Sequence, residues 1–193
     1  MKPLVVHPWP PAHEGTAPDW REGLIAVSTP GGPREAARKD IRAAICEVAA
    51  GLLDIGPERI EVAREPGQPP RLLVDGADTG MGVSISHAET LSVAVLCRAG
   101  AVGVDLMQIV LPSNWASMAH DYLGMAAATA LAAMPDAQRP LAFCQAWTRR
   151  EAAFKLRGEQ IREWAAGDEG DWSLPHVALD LPDGLIGVAI FSG

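Results

Sequence analysis

An apolar run that ends in a carboxylate constrains the fold of this chain more than any other stretch. The run 101–104 has the character of a buried strand, and Asp105 follows it directly. Much later in the chain, the segment 147–155 predicts a helix with one apolar side. Glu151 and Lys155 are four positions apart in that segment, so they project from the same face of the helix.

These three side chains allow two interpretations. An acid at a strand end, a second acid on a helix and a neighbouring lysine can together form a Mg²⁺ and phosphate site. Alternatively, Asp105 lies in a turn, and Glu151 and Lys155 form an ordinary surface pair that stabilises the helix. Spacing by itself favours the second interpretation, because such pairs are common.

Four motifs in a fixed order favour the first interpretation instead. They are Ser84-Ile85-Ser86-His87, the apolar run 91–96, Gly103-Val104-Asp105 and the segment 147–155. Their order and spacing resemble the 4′-phosphopantetheinyl transferase superfamily, and within it the broad-specificity branch that activates surfactin synthetase. The resemblance extends over residues 34–158.

The resemblance implies an α+β fold built as a pseudo-dimer of two similar subdomains, each an antiparallel sheet packed with helices. Residues 1–100 would form the coenzyme A side, and residues 101–193 would carry the metal acids and the catalytic helix. The chain shows no sequence repeat between the halves, so the expected symmetry comes from the resemblance alone. An internal pseudo-dimer needs no partner chain, and we expect a monomer.

The resemblance also implies a reaction. The 4′-phosphopantetheine arm of coenzyme A would move to a serine of an acyl, polyketide or peptidyl carrier protein, with release of adenosine 3′,5′-bisphosphate. Asp105 would be a ligand of Mg²⁺. Glu151 would be a second ligand, the general base for the serine, or both. Lys155 would hold a phosphate as a point charge.

Binding residues for coenzyme A follow from the same resemblance. His87 would contact a phosphate, with the Ser86 hydroxyl beside it. Without the motif, His87 would instead be interpreted as a buried, hydrogen-bonded histidine. Gly67, Gln68 and Pro69 stand where that branch usually has Gly-Lys-Pro, and they would shape a turn beside the adenine.

Basic residues also recur every four positions in the first predicted helix. They form either an ordinary solvated face or a site for the 3′-phosphate, and the two interpretations have equal weight. These residues are Arg34, Arg38 and Arg42.

The chain departs from the family pattern at several positions. Met107 stands where many relatives have a second acid, Arg150 replaces the usual lysine before Glu151, and the segment 122–127 lacks the family's common acid. These changes leave two rivals to an active transferase. One is a degenerate paralogue that binds coenzyme A without chemistry, and the other is a non-enzymatic interaction module.

Two groups of residues are candidates for docking a carrier protein. The first is an apolar cluster that either packs in the core or forms a docking surface for the carrier helix. Its members are Trp115, Met118, Tyr122, Leu123 and Met125. The second is a local basic patch, which would offset the acidity of this chain: Arg149, Arg150, Arg157 and Arg162.

Composition excludes other classes of protein. With 193 residues, 48% of them hydrophobic, the chain can build a core as one unit or two small subdomains. A net charge of −8 argues against nucleic-acid binding. Three scattered cysteines predict reduced thiols, and the sequence lacks an apolar run of membrane-spanning length. We therefore expect a cytoplasmic protein without a membrane partner.

Hydrophobic periodicity predicts the elements of secondary structure. Residues 1–20 are proline-rich and are expected to be mostly extended over the body, and residues 158–173 are expected to form a mobile loop. The predicted helices are 34–53, 119–134 and 141–157. The predicted strands are 24–28, 60–64, 72–74, 80–86, 91–98, 102–106, 177–181 and 185–191.

Overall fold

The protein is an α+β fold in which helices pack against one large sheet. The computed structural model describes residues 2–11, 20, 23–65 and 67–192. The strands are β1 (Leu4–Pro8), β2 (Leu24–Pro30), β3 (Ile60–Ala63), β4 (Arg71–Val74), β5 (Ala77–His87), β6 (Leu91–Cys97), β7 (Val102–Gln108), β8 (His176–Asp180) and β9 (Leu185–Phe191). The α-helices are α1 (Arg34–Leu53), α2 (Trp115–Met118), α3 (Gly124–Ala133) and α4 (Arg139–Arg157).

The nine strands are hydrogen-bonded in the order β3-β4-β5-β6-β2-β1-β8-β9-β7. Neighbouring strands are antiparallel except at β1, which pairs parallel with both β2 and β8. Residues 4–8 are extended, as predicted, but the expectation that this segment lies over the body is wrong, because β1 is a strand inside the sheet. Residues 12–19, also covered by that expectation, lie outside the described residues.

Strand β7 lies against β5 through two serine hydroxyls. Ser84 and Ser86 are buried and lie on the same face of β5, since they are two residues apart. The backbone N–H of Val104 donates to Ser84 Oγ at 3.0 Å, and that of Leu106 donates to Ser86 Oγ at 3.3 Å. These bonds place Ser86 directly beside Asp105, the residue between the two donors.

Helix α4 packs closely on β7 because Gly103 lacks a side chain. A Cβ at Gly103 would lie 1.9 Å from the carbonyl oxygen of Ala152 and 2.5 Å from the backbone nitrogen of Leu156. Ala152 and Phe154 of α4 are buried. This close contact sets the height of the helix above the strand that carries Asp105.

Two segments of the second half differ from the sequence-based expectation. The alanine-rich helix predicted over 119–134 is interrupted, because Ala119–Leu123 forms a π-helical turn before α3 begins at Gly124. The segment 158–173, predicted to be a mobile loop, contains a 3₁₀ helix at Asp168–Ser173. Asp168 and Asp171 in that helix are buried.

The structure confirms the α+β class. The division into two similar subdomains near Gly100 stays a prediction. One sheet runs through both halves of the sequence, since β1 joins β2 to β8. In the described part of the chain, the helices do not combine the length and the apolar character that spanning a bilayer requires.

Candidate active site

Asp105, Ser86 and Lys155 come together from β7, β5 and α4. Ser86 Oγ donates to Asp105 Oδ1 at 2.8 Å, and Lys155 Nζ donates to the same carboxylate oxygen at 2.7 Å. Lys155 Nζ also lies 3.2 Å from Ser86 Oγ. Asp105 is only 5% exposed, so Lys155 supplies the positive charge that this buried carboxylate requires. The ion pair of Lys155 thus forms with Asp105, and the interpretation as a surface Glu–Lys pair is wrong.

Glu151 lies one helical turn before Lys155 and faces Asp105. Trp147 Nε1 donates to Glu151 Oε1 at 2.9 Å. Burial raises the pKa of Glu151, and the negative charge of Asp105 raises it further, while Lys155 opposes the change. Glu151 therefore holds a proton more tightly than an exposed glutamate does.

The two acids line an open cavity of about 570 Å³. Met107 and Trp147 share its wall with Asp105 and Glu151. In residues 2–11, 20, 23–65 and 67–192 there is no cluster of three or more His, Cys, Asp or Glu side chains suited to a metal ion. The two carboxylates repel each other, and a divalent cation bound between them would relieve this repulsion. Two protein ligands are sufficient for Mg²⁺, because it readily keeps several waters.

A second cavity, of about 300 Å³, has six basic side chains in its wall and one acidic side chain, that of Glu159, which pairs with Arg157. We call it the basic cavity. Four of the basic residues are arginines, and none of these four takes part in an ion pair within the described residues. The Nε of Arg38 is buried and has no hydrogen-bond partner. Sequence reasoning missed Arg64, which follows a short strand and belongs to no periodic pattern. The basic residues in this wall are Arg34, Arg38, Arg42, Arg64, His87 and Lys155.

His87 lies among these cations. Its Nδ1 is 2.8 Å from Ser92 Oγ. Burial lowers the pKa of His87, and the positive charges of Arg38, Lys155, Arg34 and Arg64 lower it further. His87 is therefore protonated less readily than an exposed histidine.

The turn Gly67–Pro69 touches the C-terminal end of α4. Gly158 ends that helix with a positive φ of 71°, and a Cβ there would lie 2.9 Å from Cδ of Pro69. Gly67, Gln68 and Pro69 all line the basic cavity, together with Gly158. The structure thus brings the predicted adenine turn next to the predicted catalytic helix.

The two cavities adjoin through a common wall. Arg34, His87 and Lys155 line both of them. An anion held in the basic cavity is consequently next to the two acids, and Lys155 lies between the two environments.

Arg150 is not part of a basic docking patch. Its side chain is fully buried, with Nη1 2.8 Å from Asp171 Oδ2 and Nη2 2.7 Å from Asp168 Oδ2. Its guanidinium lies 4.6 Å from the ring centroids of Phe154 and of Trp164.

Two other arginines of that predicted patch are also paired. Arg157 pairs with Asp171 and Glu159, and Arg162 pairs with Asp168. These carboxylates neutralise Arg157 and Arg162, so the four arginines do not form the basic patch that was predicted. Of the four, only Arg149 has no carboxylate partner among the described residues.

The apolar docking candidates divide between the core and the surface. Trp115 and Met118 pack partly buried against the core around Phe143, and the guanidinium of Arg139 lies 4.9 Å from a Trp115 ring centroid. Met125 is 65% exposed. Only Met125 therefore offers most of its side chain to a partner.

Comparison with known proteins agrees with this geometry. Residues 101–177 match the model of the 4′-phosphopantetheinyl transferase superfamily. The chain is 25% identical over 120 residues to 4′-phosphopantetheinyl transferase HetI of Nostoc sp., covering 62% of this chain and 51% of that protein. It is 30% identical over 109 residues to 4′-phosphopantetheinyl transferase AcpT of Salmonella typhi, covering 56% and 52%. The chain thus spans about half the length of the curated relatives it matches. The chain is therefore similar to 4′-phosphopantetheinyl transferases over part of its length.

Proposed function

We propose that the protein transfers the 4′-phosphopantetheine arm of coenzyme A to a serine of a carrier protein and releases adenosine 3′,5′-bisphosphate. One observation carries this proposal: Asp105, Glu151 and Lys155 meet where two cavities adjoin. The cavity lined by Asp105 and Glu151, which we call the acidic cavity, lies next to the basic cavity. A site for a polyphosphate substrate and a divalent cation needs this juxtaposition of charges.

The basic cavity would hold the phosphates of coenzyme A. Arg34, Arg38 and Arg42 have no carboxylate partner among the described residues, so their charge is available for the 3′-phosphate. The buried and unpartnered Nε of Arg38 also points to a ligand acceptor. Arg64 adds a cation to the wall that carries Gln68, where related sequences usually have lysine.

His87 and Lys155 would contact the pyrophosphate, since they line both cavities. Lys155 neutralises charge on the phosphate as the bond to the leaving bisphosphate breaks. His87 donates a hydrogen bond to a phosphate oxygen, with Ser86 beside it. The turn formed by Gly67, Gln68 and Pro69 borders the adenine.

The two acids would serve the incoming serine and a metal. Asp105 and Glu151 would hold Mg²⁺, which when bound supplies charge neutralisation for the pyrophosphate. Glu151 accepts the proton of the serine hydroxyl as its oxygen bonds to phosphorus. Because burial raises the pKa of Glu151, it is a stronger base than an exposed glutamate.

We further propose a protein of the broad-specificity branch that acts as a monomer in the cytoplasm. The residues of the site come from both proposed subdomains, with Arg38, Ser86 and His87 from 1–100 and Asp105 and Lys155 from 101–193. Three free cysteines support a reducing compartment. The carrier would be acyl, polyketide or peptidyl.

A mass measurement tests the transfer directly. The protein is incubated with coenzyme A, Mg²⁺ and an apo-carrier of each of the three types, and transfer adds about 340 Da to the carrier serine. Binding of coenzyme A is measured in parallel by calorimetry. Binding without a mass gain would establish the degenerate paralogue, which Met107 in the acidic cavity favours. Neither binding nor transfer would establish the interaction module.

A further inference from the structure

A third cavity lies on the side of α4 that faces away from the candidate active site. It encloses about 530 Å³ between α3, α4, β8 and β9. Arg149 lines it, and Glu151 is two positions further along, so the two side chains project about 200° apart around the helix axis. A cavity of this volume is within the range of small-molecule sites.

The walls of this cavity are apolar and lined by small side chains. Their methyl groups come from three elements, which leaves room where larger residues would fill the space. These small residues are Ala127 and Ala130 of α3, Ala142 and Ala146 of α4, and Ala178 of β8. An aliphatic chain would bury apolar surface here without displacing any core side chain.

Among the described residues that line this wall, Arg149 is the only one with a permanent charge. Its Nη2 donates to the carbonyl oxygen of Trp172, and its guanidinium lies 5.8 Å from a Trp172 ring centroid. The Nε of Arg149 is buried and has no hydrogen-bond partner. Burial lowers the pKa of Arg149, although an arginine stays protonated in proteins.

The contrast with neighbouring arginines makes Arg149 informative. Arg150, Arg157 and Arg162 each pair with at least one carboxylate, whereas Arg149 pairs with none in the part of the chain that the structure describes. A partly desolvated cation without an anion carries a free-energy penalty that a bound carboxylate would remove.

We propose that this cavity binds a small amphiphile, an aliphatic chain with one carboxylate, as in a medium-chain fatty acid. The chain lies among the alanine methyl groups, and the carboxylate accepts a charge-assisted hydrogen bond from Arg149. The site is separate from the candidate active site, because none of the described residues that line it belongs to either of the other two cavities.

Titrations with three probes of equal chain length test the site. Octanoate, 1-octanol and octylammonium are added below their aggregation limits, and the indole N–H resonance of Trp172 is followed by NMR. Octanoate is expected to shift this resonance saturably and to bind most tightly. Tighter binding of octylammonium, or no saturable shift with octanoate, would overturn the proposal.

Matched variants separate the head group from the chain. Arg149→Gln should raise the Kd for octanoate at least about tenfold and leave the Kd for octanol unchanged, because the substitution removes only a charge-assisted hydrogen bond to the carboxylate. Arg59→Gln, at an arginine outside the cavity, should leave both unchanged. Equal weakening of octanoate and octanol by Arg149→Gln would contradict the proposed contact.

A second variant fills the cavity without removing the cation. Ala130→Phe places a ring at an exposed position of its wall, so it should abolish binding of octanoate and octanol alike. Ala126→Phe, exposed on the same helix but outside the cavity, is its control. Undiminished octanoate binding by Ala130→Phe would show that the chain lies elsewhere.

Discussion

The amino group of Lys155 lies 2.7 Å from Oδ1 of Asp105, although fifty residues separate them in the chain. The pair joins α4 to β7. Because the Lys155 side chain is 31% exposed, it can also reach an anion in the adjoining cavity. Lys155 thus pairs with the buried carboxylate and also borders the cavity in which we propose that the phosphates bind.

Lys155→Met should therefore affect both stability and the binding of coenzyme A. Removing the cation leaves Asp105 unpaired, and the partial exposure of Lys155 limits the loss to about 1–2 kcal/mol of unfolding free energy. The Kd for coenzyme A should rise at least about tenfold. Denaturant unfolding and calorimetry measure the two effects, with Lys39→Met, at an exposed lysine of α1, as control. An unchanged Kd would remove Lys155 from the phosphate site.

Glu151→Gln should abolish transfer and stabilise the metal-free protein. The folded-state pKa of Glu151 is above its ordinary value of 4.5, so ionising Glu151 opposes folding. The wild type should lose stability as the pH rises from about 4.5 through the raised pKa, and the variant should lack this loss.

Melting temperatures at pH 4 and pH 8 measure this difference. The variant should match the wild type at pH 4 and melt about 2–4 °C higher at pH 8. Mg²⁺ should narrow the gap by stabilising the wild type. Glu163→Gln, at an exposed glutamate, should change nothing. A variant that is less stable than the wild type at pH 8 would contradict the effect of Asp105 on Glu151.

Binding of coenzyme A should raise the pKa of His87. Burial and nearby cations hold the pKa of His87 below its ordinary value of 6.5. The negative charge of a bound phosphate would raise this pKa again. Affinity for coenzyme A should therefore increase as the pH falls through the pKa of His87. NMR titration of the imidazole, with and without adenosine 3′,5′-bisphosphate, measures the change. His120, which lines neither cavity, provides the internal reference.

Gly103→Ala should disable the site without touching any of its functional groups. The added methyl group would meet the backbone of Ala152 and force α4 away from β7, at a cost of about 1–3 kcal/mol. Gly51→Ala in α1 is the matched control. Its Cβ would meet no described atom within 4 Å outside the adjacent backbone of its own helix, so the substitution should stabilise the protein slightly. Full activity of Gly103→Ala would show that the spacing of α4 and β7 is not critical.

Met125→Asp should raise the apparent KM for the carrier protein several-fold and leave the KM for coenzyme A unchanged. The side chain is 65% exposed, so the substitution removes apolar contact area without disturbing the core. Met118→Asp, in contrast, should lower the melting temperature, because Met118 packs against the core around Phe143. Equal KM changes for both substrates would exclude Met125 from docking.

The sequence predicted those parts of the fold in which local patterns and tertiary structure agree. Helix α1 has the predicted bounds, because its apolar repeat coincides with its buried face. Strand β1 was missed, since five residues that include a proline carry little local signal. Its stability comes from pairing with two strands that are distant in sequence.

The candidate site shows the same division. Asp105, Glu151 and Lys155 could be found from their motif, but the bond between Lys155 and Asp105 depends on the tertiary packing of α4 on β7. Arg150 was misplaced on the surface because its partners, Asp168 and Asp171, lie in a polar segment without periodicity. Pairing between charges that are far apart in sequence leaves no local pattern to detect.

The position of β1 also determines the order in which the sheet can be completed. A ribosome makes residues 4–8 before residues 176–180, so one edge of this strand stays unpaired until the later segment has emerged. The sheet consequently cannot be completed until both segments have been made, and this long-range pairing slows folding. A nascent chain of this protein therefore exposes an open strand edge while residues 9–175 are synthesised.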